Sequence, residues 1–89
     1  MDTMVYIVSV FDSFADCTDV LGVYSKLEYA ILDVCASAQL LGCDGVSQVE
    51  PQDAIGLTYE MIGHNRSTED IFIYRIERMR VDGLFGSTL

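Results

Sequence analysis

Basic residues are scarce in this chain: five Lys and Arg stand against fourteen Asp and Glu, a formal charge of −9. A balance this negative repels phosphate backbones, which argues against direct nucleic-acid binding and suits a partner with a basic surface. Histidine is scarcer still. His64 is the only imidazole, with no sequence-adjacent nucleophile, so general acid–base catalysis has one weak candidate. A metal site would need Cys17, Cys43 and His64 to converge without any short ligand spacing, and none is expected. Neither a GxGxxG turn nor a GxxxxGK[ST] phosphate loop is present, and no cofactor is expected. An enzyme is not the reading these residues favour.

Cysteine is also sparing. Cys17, Cys35 and Cys43 are odd in number and form no CxxC pair. No positively charged segment precedes an apolar run as in a signal peptide, and no apolar run reaches membrane-spanning length. The expectation is a cytoplasmic protein with reduced thiols and no membrane partner. Cys35, inside a helical pattern, reads as a small buried hydrophobe.

What the chain has in abundance is apolar pattern. About half of its 89 residues are hydrophobic, enough for one modest domain, placed at 1–83 with a tail at 84–89. Its organising stretch is Val20 to Gly42. Leu27, Ala30, Ile31, Val34, Ala38 and Leu41 recur at helical spacing. Ser25 and Glu28 have the spacing of a capping box, and Gly42 has the backbone freedom to end the helix.

Strand signals surround the helix. Met4 to Phe11 is rich in β-formers on both parities, which predicts a central strand covered on both faces. An acidic connection at Asp12 to Asp19 leads to a second strand, Val20 to Tyr24, as a long-looped hairpin. After the helix, Val46 to Val49 reads as a brief extended piece stopped by Pro51. Ile55 to Ile62 alternates like a half-buried strand, and Gly63 to Arg66 reads as a turn. A last strand starts near Asp70, with Phe72, Tyr74 and Ile76 on one face. The predicted fold is α+β: a single amphipathic helix packed on a roughly four-stranded antiparallel sheet.

Two surfaces are candidates for binding. The acidic set comprises Asp12, Asp16, Asp19, Asp44, Glu50 and Asp53, carboxylates suited to imitating phosphates on the basic surface of another protein. Arg75, Arg78 and Arg80, beside Glu69, Asp70 and Glu77, are expected to form ion pairs. The helix also carries Leu32, Ala36 and Leu40 off its main stripe, an apolar second face that predicts self-association as a homodimer. The aromatics Phe11, Tyr24, Tyr59 and Phe72 are expected in the core rather than around a small-molecule pocket.

The strand Val5-Tyr6-Ile7-Val8, followed by Gly22-Val23-Tyr24-Ser25 entering a helix with Glu28 and Ala30, resembles small bacteriophage-encoded proteins. In those the chain also finishes with a strand like Ile73 to Asp82, whereas the stretch from about Val46 to Asn65 departs from the shorter pattern. Together with the charge, the size and the lack of catalytic groups, the resemblance implies a small acidic phage accessory protein. It would inhibit a nucleic-acid-targeting host defence complex, of anti-CRISPR or anti-restriction type, by stoichiometric binding through its acidic loops. The alternative is a homo-oligomeric structural or assembly protein without enzymatic activity.

Overall fold

The computed structural model describes residues 3–81, so the boundary at 83 and the tail at 84–89 lie outside the described residues. The elements are β1 (Thr3–Asp12), β2 (Cys17–Tyr24), α1 (Leu27–Leu40), β3 (Glu50–Pro51), β4 (Thr58–Asn65) and β5 (Asp70–Val81). The strands form one sheet in the order β2-β1-β5-β4-β3, with every neighbouring pair antiparallel. One helix on an antiparallel sheet is the α+β arrangement the sequence predicts, with the short β3 as a fifth strand.

The helix crosses one face of the sheet. Val8 and Val10 of β1, Met61 of β4, and Phe72, Tyr74 and Ile76 of β5 share that face and are buried against Ala30, Val34 and Ala38. These three helix residues recur every four positions, and two are alanines, so the α1 backbone lies close to the strands. Tyr74 is fully buried, and its hydroxyl meets that of Ser37 on α1 at 3.0 Å. Burial raises its pKa, against a lowering influence from the Ser37 hydrogen bond. A phenol in such a site needs a polar partner, and Ser37 supplies it.

Several boundaries differ from expectation. The helix does not use a capping box: its N-cap is Lys26, in extended backbone, with no side-chain cap hydrogen bond. Because the helix starts at Leu27, Glu28 falls at the second helical position and the serine–glutamate reciprocity is lost. Glu28 still stands in the first turn, where a carboxylate favours the helix dipole. At the other end Gly42 is left-handed (φ 79°), as predicted. The Gly42 amide donates to the Gln39 carbonyl at 3.1 Å and the Cys43 amide to the Ala38 carbonyl at 2.9 Å, the pair of bonds of a Schellman ending.

The connection from β1 to β2 is a tight loop of residues 13–16 rather than a long one, because Cys17, Thr18 and Asp19 already pair with β1. Gly63, His64 and Asn65 are in strand, and the turn falls at 66–69. Pro51 does not end an extended piece before it; it pairs with Tyr59 in β3, on the sheet edge where its missing donor is not required. Cys35 is exposed, since it lies on the outer side of α1. Finally, β1 is covered on one face only. Val5, Ile7 and Phe11 stay half-buried because the helix lies on the opposite side.

Candidate functional site

Two loops of nearly the same build close one end of the sheet. In each, an Asx residue ends a strand and caps the following turn, and a left-handed residue leads into the next strand. The Asp12 carboxylate accepts from the Phe14 amide at 2.9 Å and the Ala15 amide at 3.3 Å, and Asp16 has φ 54°. The Asn65 side-chain carbonyl accepts from Ser67 at 2.9 Å and Thr68 at 3.2 Å, and Glu69 has φ 59°. The loops are joined through Asp70, whose carboxylate accepts from the Ser13 hydroxyl at 3.0 Å and the Phe14 amide at 3.1 Å.

The helix ends here too. The Asn65 side-chain amide donates to the Leu41 carbonyl at 2.9 Å, fixing the C-terminus of α1 beside the β4–β5 loop. The Asp44 amide donates to the His64 carbonyl at 3.1 Å, which brings residue 44 to the same end. Asp12, Asp16, Asp19, Asp44, Glu69 and Asp70 therefore lie, from separate stretches of chain, toward the end of the sheet at which the helix finishes. No basic residue stands in the last helical turn to offset the negative end of the helix dipole. Arg66 is at this end, paired with Asp44 at 3.5 Å, and both side chains are largely exposed. An exposed pair of this kind contributes little and is screened by salt.

The predicted acidic set thus divides. Asp12, Asp16, Asp19 and Asp44 lie at this pole, with Asp12 engaged in holding its turn. Glu50 and Asp53 do not join them. Glu50 pairs with Glu60 across β3 and β4, and the Asp53 carboxylate accepts from the Leu57 amide at 2.8 Å in the loop before β4. That loop abuts Arg78, whose amide donates to the Leu57 carbonyl at 2.7 Å, toward the far end of β5. Glu69 and Asp70 are the members that sequence reasoning missed, because proximity to the arginines in sequence grouped them with ion pairs.

The arginines are arranged otherwise. Arg75 approaches Glu60 on the neighbouring strand at 3.7 Å rather than Glu69, Asp70 or Glu77. Arg78 donates to the Ile55 carbonyl at 3.3 Å, and its Nε is buried without a hydrogen-bond partner. Lys26, Arg78 and Arg80 all lie toward the end of the sheet opposite the acidic pole, where Glu28 and Asp53 also stand.

The self-association residues Leu32, Ala36 and Leu40 are exposed, Leu40 to 88 % and Leu32 to 65 %. Leu32 and Ala36 border an open groove of about 510 Å³ between α1 and the 43–46 segment, shared with Cys35, Cys43 and Val46. Burial, with Asp44 and Asp70 nearby, pushes the Cys43 thiol up from its ordinary value, which disfavours a reactive thiolate. Among the predicted core aromatics, Phe72 is buried, Tyr24 and Tyr59 are partly buried against the core, and Phe11 lies on the face away from the helix. Among the described residues, no group of three or more His, Cys, Asp and Glu side chains is placed to hold a metal ion. No helix among them is long and apolar enough to cross a membrane.

Comparison of the chain with family models, curated proteins and solved structures returned no match.

Proposed function

We propose that this is a small, non-catalytic accessory protein of bacteriophage type, working in the host cytoplasm, that binds and inhibits a nucleic-acid-targeting host protein. The observation that supports this reading most is the acidic pole: carboxylates from residues 12–19, 44 and 69–70 lie toward the same end of the sheet, the end at which α1 finishes. A fixed cluster of negative charge offers a basic nucleic-acid groove the electrostatics it is built to receive, and such a surface accelerates encounter as well as selecting the partner. Asp12 and Asp70 hold the two loops, while Asp16, Asp19 and Glu69 are exposed, and Asp44 is exposed in a solvated pair with Arg66 that a partner can displace.

The experiment is affinity capture from a nuclease-treated bacterial lysate at low and high salt, read by mass spectrometry. Recovery of a nucleic-acid enzyme that is released by salt supports the inhibitor reading. Recovery of this protein alone, indifferent to salt, supports the second reading, a self-assembling protein without catalytic activity, which the exposure of Leu32 and Leu40 favours.

A further inference from the structure

The helix occupies one side of the sheet, and the other side carries many apolar residues around a polar middle. Cross-strand register places Val5, Ile7 and Phe11 of β1, Val20 and Val23 of β2, Ile62 of β4, and Ile71, Ile73 and Met79 of β5 on this second face. The extra residue Leu21, opposite the step from Val8 to Ser9, shifts the β2 register so that both Val20 and Val23 point to it. Ile73 is central, flanked by Phe11 on one neighbour and Ile62 on the other. An antiparallel sheet with one solvated face alternates apolar with polar residues, whereas apolar residues on both parities mark a sheet covered twice.

Size and charge both bear on what covers it. Ten residue pairs of β1 and β5 at about 3.3 Å each, and four strands at about 4.8 Å, give a face of about 33 by 19 Å. Its projected area is about 600 Å², and with pleated side chains it approaches the ~800 Å² that each partner buries in a stable complex. The face carries Arg75, paired with Glu60, against Glu60 and Glu77 mid-face and Glu50 at the β3 edge, and the aspartates of the acidic pole point elsewhere or lie in loops. Within this face Arg75 and Glu77, two residues apart on β5, offer opposite charges that a second, antiparallel copy of the same strand can meet. A two-fold axis passing between Arg75 and Glu77 sets each arginine against the other copy's Glu77.

We propose that this sheet face binds a second copy of the chain, making a symmetric dimer in which two sheets stack face to face and the two helices lie outermost. The interface lies on the side of the sheet opposite Leu32, Ala36 and Leu40, and it does not depend on the acidic-pole reading.

Sedimentation equilibrium of the full chain, from low to high micromolar concentration, is the test. The wild type is expected to reach the dimer mass, and Ile73→Lys to raise the dissociation constant about thirty-fold or more. Arg75→Glu should also dissociate it, and Arg75→Glu with Glu77→Arg should restore it, with the unfolding transition of the single variant retained so that loss of the Glu60 pair is not the cause. Leu32→Glu with Leu40→Glu should leave the dimer intact. Hydroxyl-radical footprinting of the wild type, which needs no substitution, should show Phe11 and Ile73 protected as concentration rises while Leu32 and Leu40 stay reactive. A wild type that remains monomeric overturns the proposal, as does a dimer lost on changing Leu32 and Leu40 but not Ile73. Protection of Phe11 and Ile73 at every concentration in a monomer would assign the cover to residues 82–89, and also overturns it.

Discussion

The Asp70 carboxylate receives the Ser13 hydroxyl at 3.0 Å across a sequence separation of 57 residues, and the Ser13 hydroxyl in turn accepts from the Ile71 amide at 3.1 Å. This exchange ties the start of β5 to the β1–β2 loop and sets the shape of the acidic pole. Asp70→Ala removes the acceptor for both Ser13 and Phe14 and is expected to lower stability by about 1 kcal/mol in denaturant unfolding. Asp70→Asn keeps an acceptor and should cost less. Equal losses for the two variants would mean that charge, not the hydrogen bonds, holds the loops.

Gly63 is where the core admits no side chain. A Cβ there would stand 3.0 Å from the Cys43 Sγ and 3.5 Å from the Tyr74 ring. Gly63→Ala is expected to cost about 1–2 kcal/mol through overpacking, and adding Cys43→Ala should return much of that loss. Strict additivity of the two changes in a double-mutant cycle would show that the two sites do not meet.

Tyr24 and Asp33 predict a specific alkaline titration. The hydrogen bond to Asp33, then burial and the Asp33 charge, push the Tyr24 pKa from 10.0 up to about 12. Between those values the folded chain retains a proton that the unfolded chain has lost. The stabilisation is therefore complete below pH 10 and is lost as pH rises through about 12. Asp33→Asn should bring the tyrosinate absorbance step assigned with Tyr24→Phe down toward 10. A step unmoved by that substitution would place the cause elsewhere.

Two positions stand below their best local choice. Lys26 is an N-cap without a capping side chain, so Lys26→Ser is expected to add about 0.5–1 kcal/mol, offset slightly by loss of the Lys26 ammonium 5.7 Å above the Tyr29 ring. Glu69 holds φ 59°, which Asn tolerates better, so Glu69→Asn should raise the melting temperature while removing a charge. A lower melting temperature for either variant would contradict these local accounts.

The legible parts of the fold were those with strong periodicity. The helix stripe places Ala30, Val34 and Ala38 in the core, and alternation in β5 places Phe72, Tyr74 and Ile76 there. Gly42 ends the helix because its left-handed backbone is required, a signal written in one residue. Gly63-His64-Asn65 misleads for a related reason: its glycine is needed for a close approach to Cys43 rather than for a turn. Four of the six members of the acidic pole were readable: Asp12, Asp16 and Asp19 because they are close in sequence, and Asp44 because it stands in an Asp-Gly turn. Glu69 and Asp70 join them through the antiparallel pairing of β1 with β5, a long-range contact that no local pattern encodes. The apolar second face of β1 was visible as hydrophobic residues on both parities, though not the fact that the chain's own helix covers only one side.

The central claim is that the exposed carboxylates of the pole carry partner binding. The most direct measurement compares the wild type with Asp16→Asn, Asp19→Asn, Asp44→Asn and Glu69→Gln combined, titrated against the captured partner over a range of salt. Asp12 and Asp70 are left in place because their carboxylates hold the loops. The account predicts a loss of affinity of about tenfold or more at low salt and a flatter salt dependence, with the unfolding transition retained. Unchanged affinity and an unchanged salt slope in that variant would contradict it.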